Sequence, residues 1–335
     1  MTIRSLATFG TLAASVLLGA SAMAQQLSGA GASFPAPLYQ RWAVEYNKAN
    51  PSVQVNYQSV GSGAGIKQFT AGTVDFGASD AAMTDEEISK VSKGVVMLPA
   101  TAGSIVIAYN LPGVKELKLS RDAYVGIFLG KITSWDDEII KKDNPGVTLP
   151  SLPINVAYRS DGSGTTFVFT KHLSTISKEF ADELGTDKSV DWPAGVGGKG
   201  NEGVTALIKQ APGTVGYVEY GYAANNGLAM ASLQNKAGEF VAPNEASGAA
   251  TLASVELPEN LRIWPADPEG KADYPIVTFT WLLLFKDYDD AKADTLKAFV
   301  KWSLTDGQKL SAELGYIPLP EAVVTKTLAA LDTVK

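Results

Sequence analysis

Short apolar runs with β-forming character alternate with amphipathic helical stretches along almost the whole chain, and this alternation narrows the fold more than any other property of the sequence. Segments 53–58, 74–79, 104–110, 154–159, 214–218, 228–233 and 276–284 read as strands. Segments 64–71, 84–92, 120–130, 135–142, 165–174 and 203–210 read as helices, with another through Tyr222 and two or three more closing the chain. The helix at 84–92 opens on a capping box, Thr84 with Glu87 three residues later. This order predicts an α/β architecture with largely parallel sheets. Pro- and Gly-rich stretches at 143–153, 191–203 and 265–275 are loops too short to tether independent domains.

With 335 residues, 45% of them hydrophobic, the chain can bury one large core or two ordinary ones. Lys and Arg number 28 against 35 Asp and Glu, a formal charge of -7 without a basic block. Such a surface releases few counterions, which argues against DNA and RNA as partners. Cysteine is absent and histidine occurs once, which excludes thiol chemistry, disulfides and Cys/His zinc sites. Residues 1–24 read as a secretory signal: Arg4, an apolar stretch over 6–18, and Ala22-Met23-Ala24 before a cleavage expected between Ala24 and Gln25. A membrane anchor fits less well, because the stretch is short, rich in small residues and followed by two glutamines. An exported chain without disulfides fits a bacterial periplasm.

Three segments place small polar residues and glycine just where a helix begins. They are Gly29-Ala30-Gly31-Ala32-Ser33-Phe34-Pro35, Gly61-Ser62-Gly63-Ala64-Gly65, and Arg159-Ser160-Asp161-Gly162-Ser163-Gly164-Thr165-Thr166. A helix N-terminus offers unpaired amide N–H groups and partial positive charge, and glycine lets an anion approach the backbone. Any one such turn is ordinary helix capping; three in one chain, one beside an arginine, raise an anion site to an equal alternative.

Arg159 ends a strand with Asp161 two residues on, so both can face one side, where the carboxylate would hold a guanidinium that grips an oxyanion. The competing reading is a surface ion pair worth about 0–1 kcal/mol. Asp80 closes an apolar strand at its carboxyl end, the edge that faces the ligand crevice of open α/β sheets. A carboxylate there repels a fully ionised anion but accepts a hydrogen bond from one that keeps a proton, as hydrogen phosphate does and sulfate does not. Otherwise Asp80 caps the next turn. Segment 195–200 resembles a nucleotide loop but lacks Ser or Thr after Lys199 and has Pro193 where the first glycine belongs. No Gly-x-Ser-x-Gly elbow occurs. His172 reads as a packed or solvated helix residue rather than a base, and the acidic runs 85–87 and 136–138 as first helical turns rather than metal ligands.

Taken in order, 29–37 (GAGASFPAP), 74–80 (VDFGASD), 129–135 (LGKITSW), 161–170 (DGSGTTFVFT), 195–203 (GVGGKGNEG) and 213–220 (GTVGYVEY) resemble the periplasmic phosphate-binding proteins of Pst-type phosphate ABC transporters, over nearly the whole chain. The resemblance implies a two-lobed, type II periplasmic binding protein, with a hinge and a cleft that closes on dehydrated phosphate. It implies lobe I at 25–103 plus 280–335 and lobe II at 104–279. It implies phosphate contacts from Ser33, the backbone at Phe34, Ser62, Asp80 as acceptor of the phosphate proton, Arg159, Ser163, Gly164 and Thr165, with Asp161 paired to Arg159. The chain departs from the family pattern in Ser33, where Thr is common, and in the second turn, where a second Ser is expected. The expected function is binding of hydrogen phosphate or dihydrogen phosphate as a periplasmic monomer and delivery to membrane permease subunits, without catalysis, cofactor or metal. The alternatives are a binding protein for sulfate or molybdate, a secreted phosphatase or serine hydrolase, and an adhesin on the same scaffold.

Overall fold

The computed structural model describes residues 25–253 and 255–335, so the leader expected at 1–24 lies outside the described residues. The chain runs through β1 (Gln25–Gly31), α1 (Ala36–Ala49), β2 (Val53–Ser59), α2 (Ser62–Thr70), β3 (Phe76–Ser79), α3 (Asp85–Ser89) and the long β4 (Val95–Tyr109). It continues through β5 (Lys118–Leu119), α4 (Arg121–Phe128), α5 (Glu138–Asp143), β6 (Asn155–Arg159), α6 (Gly164–Ile176) and α7 (Lys178–Glu183). Then come β7 (Val196–Gly198), α8 (Gly200–Gln210), β8 (Thr214–Glu219), α9 (Tyr220–Asn225), and the short β9 (Ala229–Met230), β10 (Ser232–Gln234) and β11 (Phe240–Val241). Helix α10 (Glu245–Ala253), β12 (Val277–Phe285), α11 (Asp290–Leu304), two 3-10 turns and α12 (Glu321–Leu331) follow.

The main sheet has the order β2-β1-β3-β12-β4-β8-β6-β7, with β9 also paired to β4. Strand β4 belongs to both halves: Val95–Ser104 pairs with β12, and from Ile105 onward it pairs with β8. The outer strands are parallel, β1 to β2 and β3, and β6 to β7 and β8. The central strands are not: β12 runs antiparallel to β3 and β4, and β4 antiparallel to β8. The sheet is therefore mixed rather than largely parallel. Every residue of β12 is buried, and a strand covered on both faces reads as a near-continuous apolar run whichever way its neighbours run.

Other differences have local causes. The strand expected at 104–110 begins at Val95, because Pro99 and Gly103 read as breakers yet lie inside β4. Pro99 sits where the β4–β12 register slips, facing Trp281 while Thr101 faces Thr280; a bulge is where a sheet tolerates a residue without an N–H. The bulged Ala100 carbonyl accepts Gln308 Nε2 at 2.8 Å. The single strand expected at 228–233 divides: β9 extends the main sheet and β10 joins a separate sheet, β11-β10-β5. The loop expected at 191–203 contains edge strand β7 and the start of α8. Helix α10, rich in small residues, gave no helical stripe and was not expected.

Helix α1 buries the stripe Leu38, Trp42 and Tyr46 predicted by its spacing, and the Thr84–Glu87 capping box opens α3 as expected. Buried indoles tie distant loops to the core: Trp42 donates to the Gly307 carbonyl at 2.8 Å, Trp135 to Gly213 at 2.9 Å and Trp281 to Leu261 at 2.7 Å. The carboxyl ends of β1, β2, β3 and β6 lead directly into Ser33, Ser62, Asp80 and Arg159.

Helix α2 reaches this edge only because Gly65 lets it lie against the sheet. A Cβ there would stand 2.4 Å from Gly31 Cα, 2.9 Å from the Ala30 carbonyl and 3.0 Å from the Ala78 carbonyl, all main-chain atoms of β1 and β3. Gly65→Ala is expected to lower stability by roughly 2 kcal/mol, as overpacking against rigid backbone does, read by urea unfolding. A loss below a few tenths of a kcal/mol would show that α2 is free to shift.

Candidate functional site

Capping accounts for one of the three Gly/Ser turns and fails for two. Ser163 is the N-cap of α6, its Oγ accepting Thr166 N–H at 3.0 Å. Helix α1 starts from Pro35 with no side-chain cap, and α2 from Gly61, whose φ of +90° suits a residue without Cβ. Ser33 and Ser62 are therefore free of capping, and both are fully buried. Ser33 Oγ accepts the Asn201 main-chain N–H at 3.0 Å and its Nδ2 at 2.9 Å. Ser62 Oγ accepts the Asp80 N–H at 3.2 Å.

The turns meet across the sheet. Gly63 N–H donates to the Gly162 carbonyl at 2.8 Å, Ser59 Oγ to Glu202 at 3.3 Å, and Tyr222 Oη to the Ser33 carbonyl at 2.7 Å. Lys188 reaches Glu87 at 2.8 Å. At the centre, Gly164 has no room for a side chain: a Cβ would lie 2.5 Å from Ser62 Oγ and 2.7 Å from Asp80 Oδ2. Phe34 is buried behind the first turn, its carbonyl accepting Tyr316 Oη at 2.7 Å.

Arg159 is gripped bidentately by Asp161, Nε to Oδ1 at 2.8 Å and Nη2 to Oδ2 at 2.6 Å. Its Nη1 donates to Thr165 Oγ1 at 3.2 Å. The two side chains are 1% and 12% exposed, so this is a buried fork and not a surface pair. Burial raises the Asp161 carboxyl, but the Arg159 fork and the Gly200 N–H outweigh it and hold the group below its ordinary value.

Asp80 is the anomaly of the site. Its Oδ1 accepts Thr280 Oγ1 at 2.8 Å, and its carbonyl accepts the Trp264 indole at 3.2 Å. Its buried Oδ2 has no partner among the described residues. Burial pushes this carboxyl from 3.8 up to about 7, against the Thr280 hydrogen bond, the Arg159 charge and the nearby Ser62 hydroxyl. An orphaned acceptor this deep is costly, and it sits among hydroxyls and a guanidinium that can all donate. Together they can hold an oxyanion that carries a proton.

Residues not singled out from the sequence complete the surroundings: Asn201, Thr280, Trp264, Tyr222 and Glu219. Glu219 caps α9, accepting Gly221 N–H at 2.8 Å, and burial raises its carboxyl well above the ordinary value. The one signal for Asn201 was its place in the Gly-rich 195–203 stretch. His172 is bonded through Nε2 to Tyr124 Oη at 3.1 Å, and burial pushes it down to about 3. The acidic run at 85–87 is held by cations, Asp85 to Arg262 and Glu86 to Lys90 besides the Glu87–Lys188 pair. Asp137 caps α5.

The family model described as PBP superfamily domain matches residues 19–307. The phosphate-binding protein PstS of Pasteurella multocida is 44% identical over 317 residues, covering 92% of this chain and 91% of that protein. The PstS of Haemophilus influenzae is 44% identical, with 91% and 92% covered. Among solved structures, a high-affinity periplasmic phosphate-binding protein (PfluDING) bound with phosphate superposes at a TM-score of 0.74, with 20% identity and 91% and 93% of the two chains covered. A phosphate-binding protein from Stenotrophomonas maltophilia gives 0.72 at 22% identity, with 91% and 94% covered. The two-lobed α/β binding-protein fold is thus shared.

The raised Asp80 carboxyl has a consequence for stability. Native Asp80 keeps a proton to about 7 while the unfolded chain releases it near 3.8, so stability present below the lower value is lost as pH rises through this window. Urea unfolding of the ligand-free protein is expected to show Asp80 contributing up to roughly 1.4 kcal/mol per pH unit between about 4 and 7. Asp80→Asn should remove that component, although Glu219 adds a slope of the same sign. An identical slope in the variant would mean that Asp80 titrates normally.

Proposed function

The chain belongs to the PBP superfamily and, within it, to the phosphate-binding protein PstS family, and we propose on that premise that it captures inorganic phosphate between two lobes and delivers it to a membrane ABC permease. The observation that carries this reading is the unpartnered, buried Oδ2 of Asp80 beside Gly164. A site made of donors alone would take any oxyanion. One acceptor placed among them favours an anion that can donate a proton and leaves sulfate facing a carboxylate.

The contacts would come from Ser33, the backbone at Phe34, Ser62, Asp80, Arg159, Ser163, Gly164 and Thr165. Asp161 would hold the Arg159 fork so that Nη1 faces the ligand. Hydrogen bonds to a charged group contribute about 1.5–3 kcal/mol each, and the overall negative charge of the chain gives no long-range attraction, so these local donors supply the affinity. Lobe I would comprise 25–103 plus 280–335 and lobe II 104–279. The change of partner in β4 at Ser104/Ile105 supports this division, and Val277–Phe279 of β12 lie at the crossing. Residues 1–24 would direct the chain to the periplasm. The reading is binding without turnover: the single histidine is bonded to Tyr124, and Ser33 Oγ accepts two N–H groups instead of facing a base.

Calorimetric titration of residues 25–335, stripped of phosphate, is expected to give tight one-to-one phosphate binding and no sulfate binding at neutral pH. Absence of binding by either anion would overturn the reading. Asp80→Asn replaces the repelling carboxylate by an amide that can donate, so phosphate should weaken by roughly tenfold or more while sulfate gains measurable affinity. Unchanged selectivity would remove Asp80 from the role of proton acceptor.

A further inference from the structure

Asn201 lies outside all three Gly/Ser turns, yet it is completely buried where they meet. It is the second residue of α8, after Gly200 at a φ of +70°. Its Oδ1 accepts the Glu219 main-chain N–H at 2.9 Å, and that fixed donor settles which way round the amide stands. Nδ2 must then face the site. Its two hydrogens go to Ser33 Oγ at 2.9 Å and Thr165 Oγ1 at 3.2 Å, while the Asn201 main-chain N–H adds a second bond to Ser33 Oγ at 3.0 Å.

A hydroxyl has one proton to give and two lone pairs to receive. Ser33 Oγ receives both of its hydrogen bonds from Asn201. Thr165 Oγ1 receives one from Asn201 and one from Arg159 Nη1, each at 3.2 Å. The lone pairs of both oxygens are therefore occupied, and what each has left is its proton. We propose that Asn201 is a positioning residue that sets the polarity of the Ser33 and Thr165 hydroxyls, so that both can only donate toward a bound anion.

This deepens the phosphate reading and rests on it. Ser33 follows β1 and Asn201 opens α8, on opposite halves of the sheet that β4 joins. The Ser33 hydroxyl is thus committed to donation only when the halves meet, which couples closure to anion recognition. An Asn201→Asp carboxylate would offer lone pairs where Nδ2 offered hydrogens, and the two hydroxyl protons would turn to it and away from the ligand.

The test is a double-mutant cycle on phosphate affinity, with phosphate-stripped protein and calorimetric titration. In the wild type, Ser33→Ala deletes one donor and is expected to weaken binding roughly tenfold or more. Asn201→Asp is expected to weaken it by at least roughly a hundredfold. Within Asn201→Asp, the further change Ser33→Ala should cost little, because that proton no longer serves the anion. Asn201→Ala carries the same cycle without added charge and serves if the aspartate variant fails to fold. There too Ser33→Ala should cost less than in the wild type. Equal fold-losses from Ser33→Ala in wild-type and position-201 backgrounds would overturn the proposal and leave Asn201 a packing residue, as would wild-type affinity in Asn201→Asp. A wild-type protein that binds no phosphate would be a different failure, that of the phosphate reading itself.

Discussion

One strand, β4, belongs to both halves of this molecule. Over its length β4 pairs first with β12 and then with β8, so the two halves of the sheet meet on continuous backbone. Everything that meets at the crevice depends on where that exchange falls. The carboxyl ends of β1, β2 and β3 come from one side and that of β6 from the other, each delivering one polar residue to the same buried spot. Strand β12 returns through the middle of the sheet between β3 and β4, with a bulge opposite Pro99.

The electrostatics of the buried spot follow from how few charges it contains and how each is answered. Arg159 is neutralised and oriented by Asp161, and Asp161 is in turn held by the Gly200 N–H. Asp80 is answered on one oxygen only. Buried charge without a partner is unfavourable, and here the imbalance sits at the point where a ligand would arrive. Asn201 extends the same economy to neutral groups by filling the lone pairs of hydroxyls that then have one direction left to bond.

What could be read in advance was whatever lies close together in the sequence. The three Gly/Ser turns, the Arg159–Asp161 pair two residues apart, Asp80 at a strand end and the Thr84 capping box are local patterns, and each lies at a strand end or a helix start in the structure. Thr280 is 200 residues from the Asp80 carboxyl it supports, and Asn201 is 168 residues from Ser33; only the order of the strands makes them neighbours. Strand direction was hidden for a related reason. The apolar runs of β4 and β12 record that both faces are covered, not which way the adjacent strands run, and the breakers Pro99 and Gly103 concealed half of β4 altogether.

Gly164 has an evolutionary consequence. Its missing side chain is the space that Asp80 and Ser62 occupy from the other half, so a side chain at 164 would meet both. Trimming the Asp80 carboxyl alone would not open the position, because Ser62 Oγ and Asp80 Cβ would still stand 2.5 and 2.7 Å from a Cβ there. If Asp80 accepts the ligand proton as proposed, a descendant of this scaffold that takes up a proton-free anion would change Asp80 rather than Gly164. The order in which its specificity can change is written into the packing.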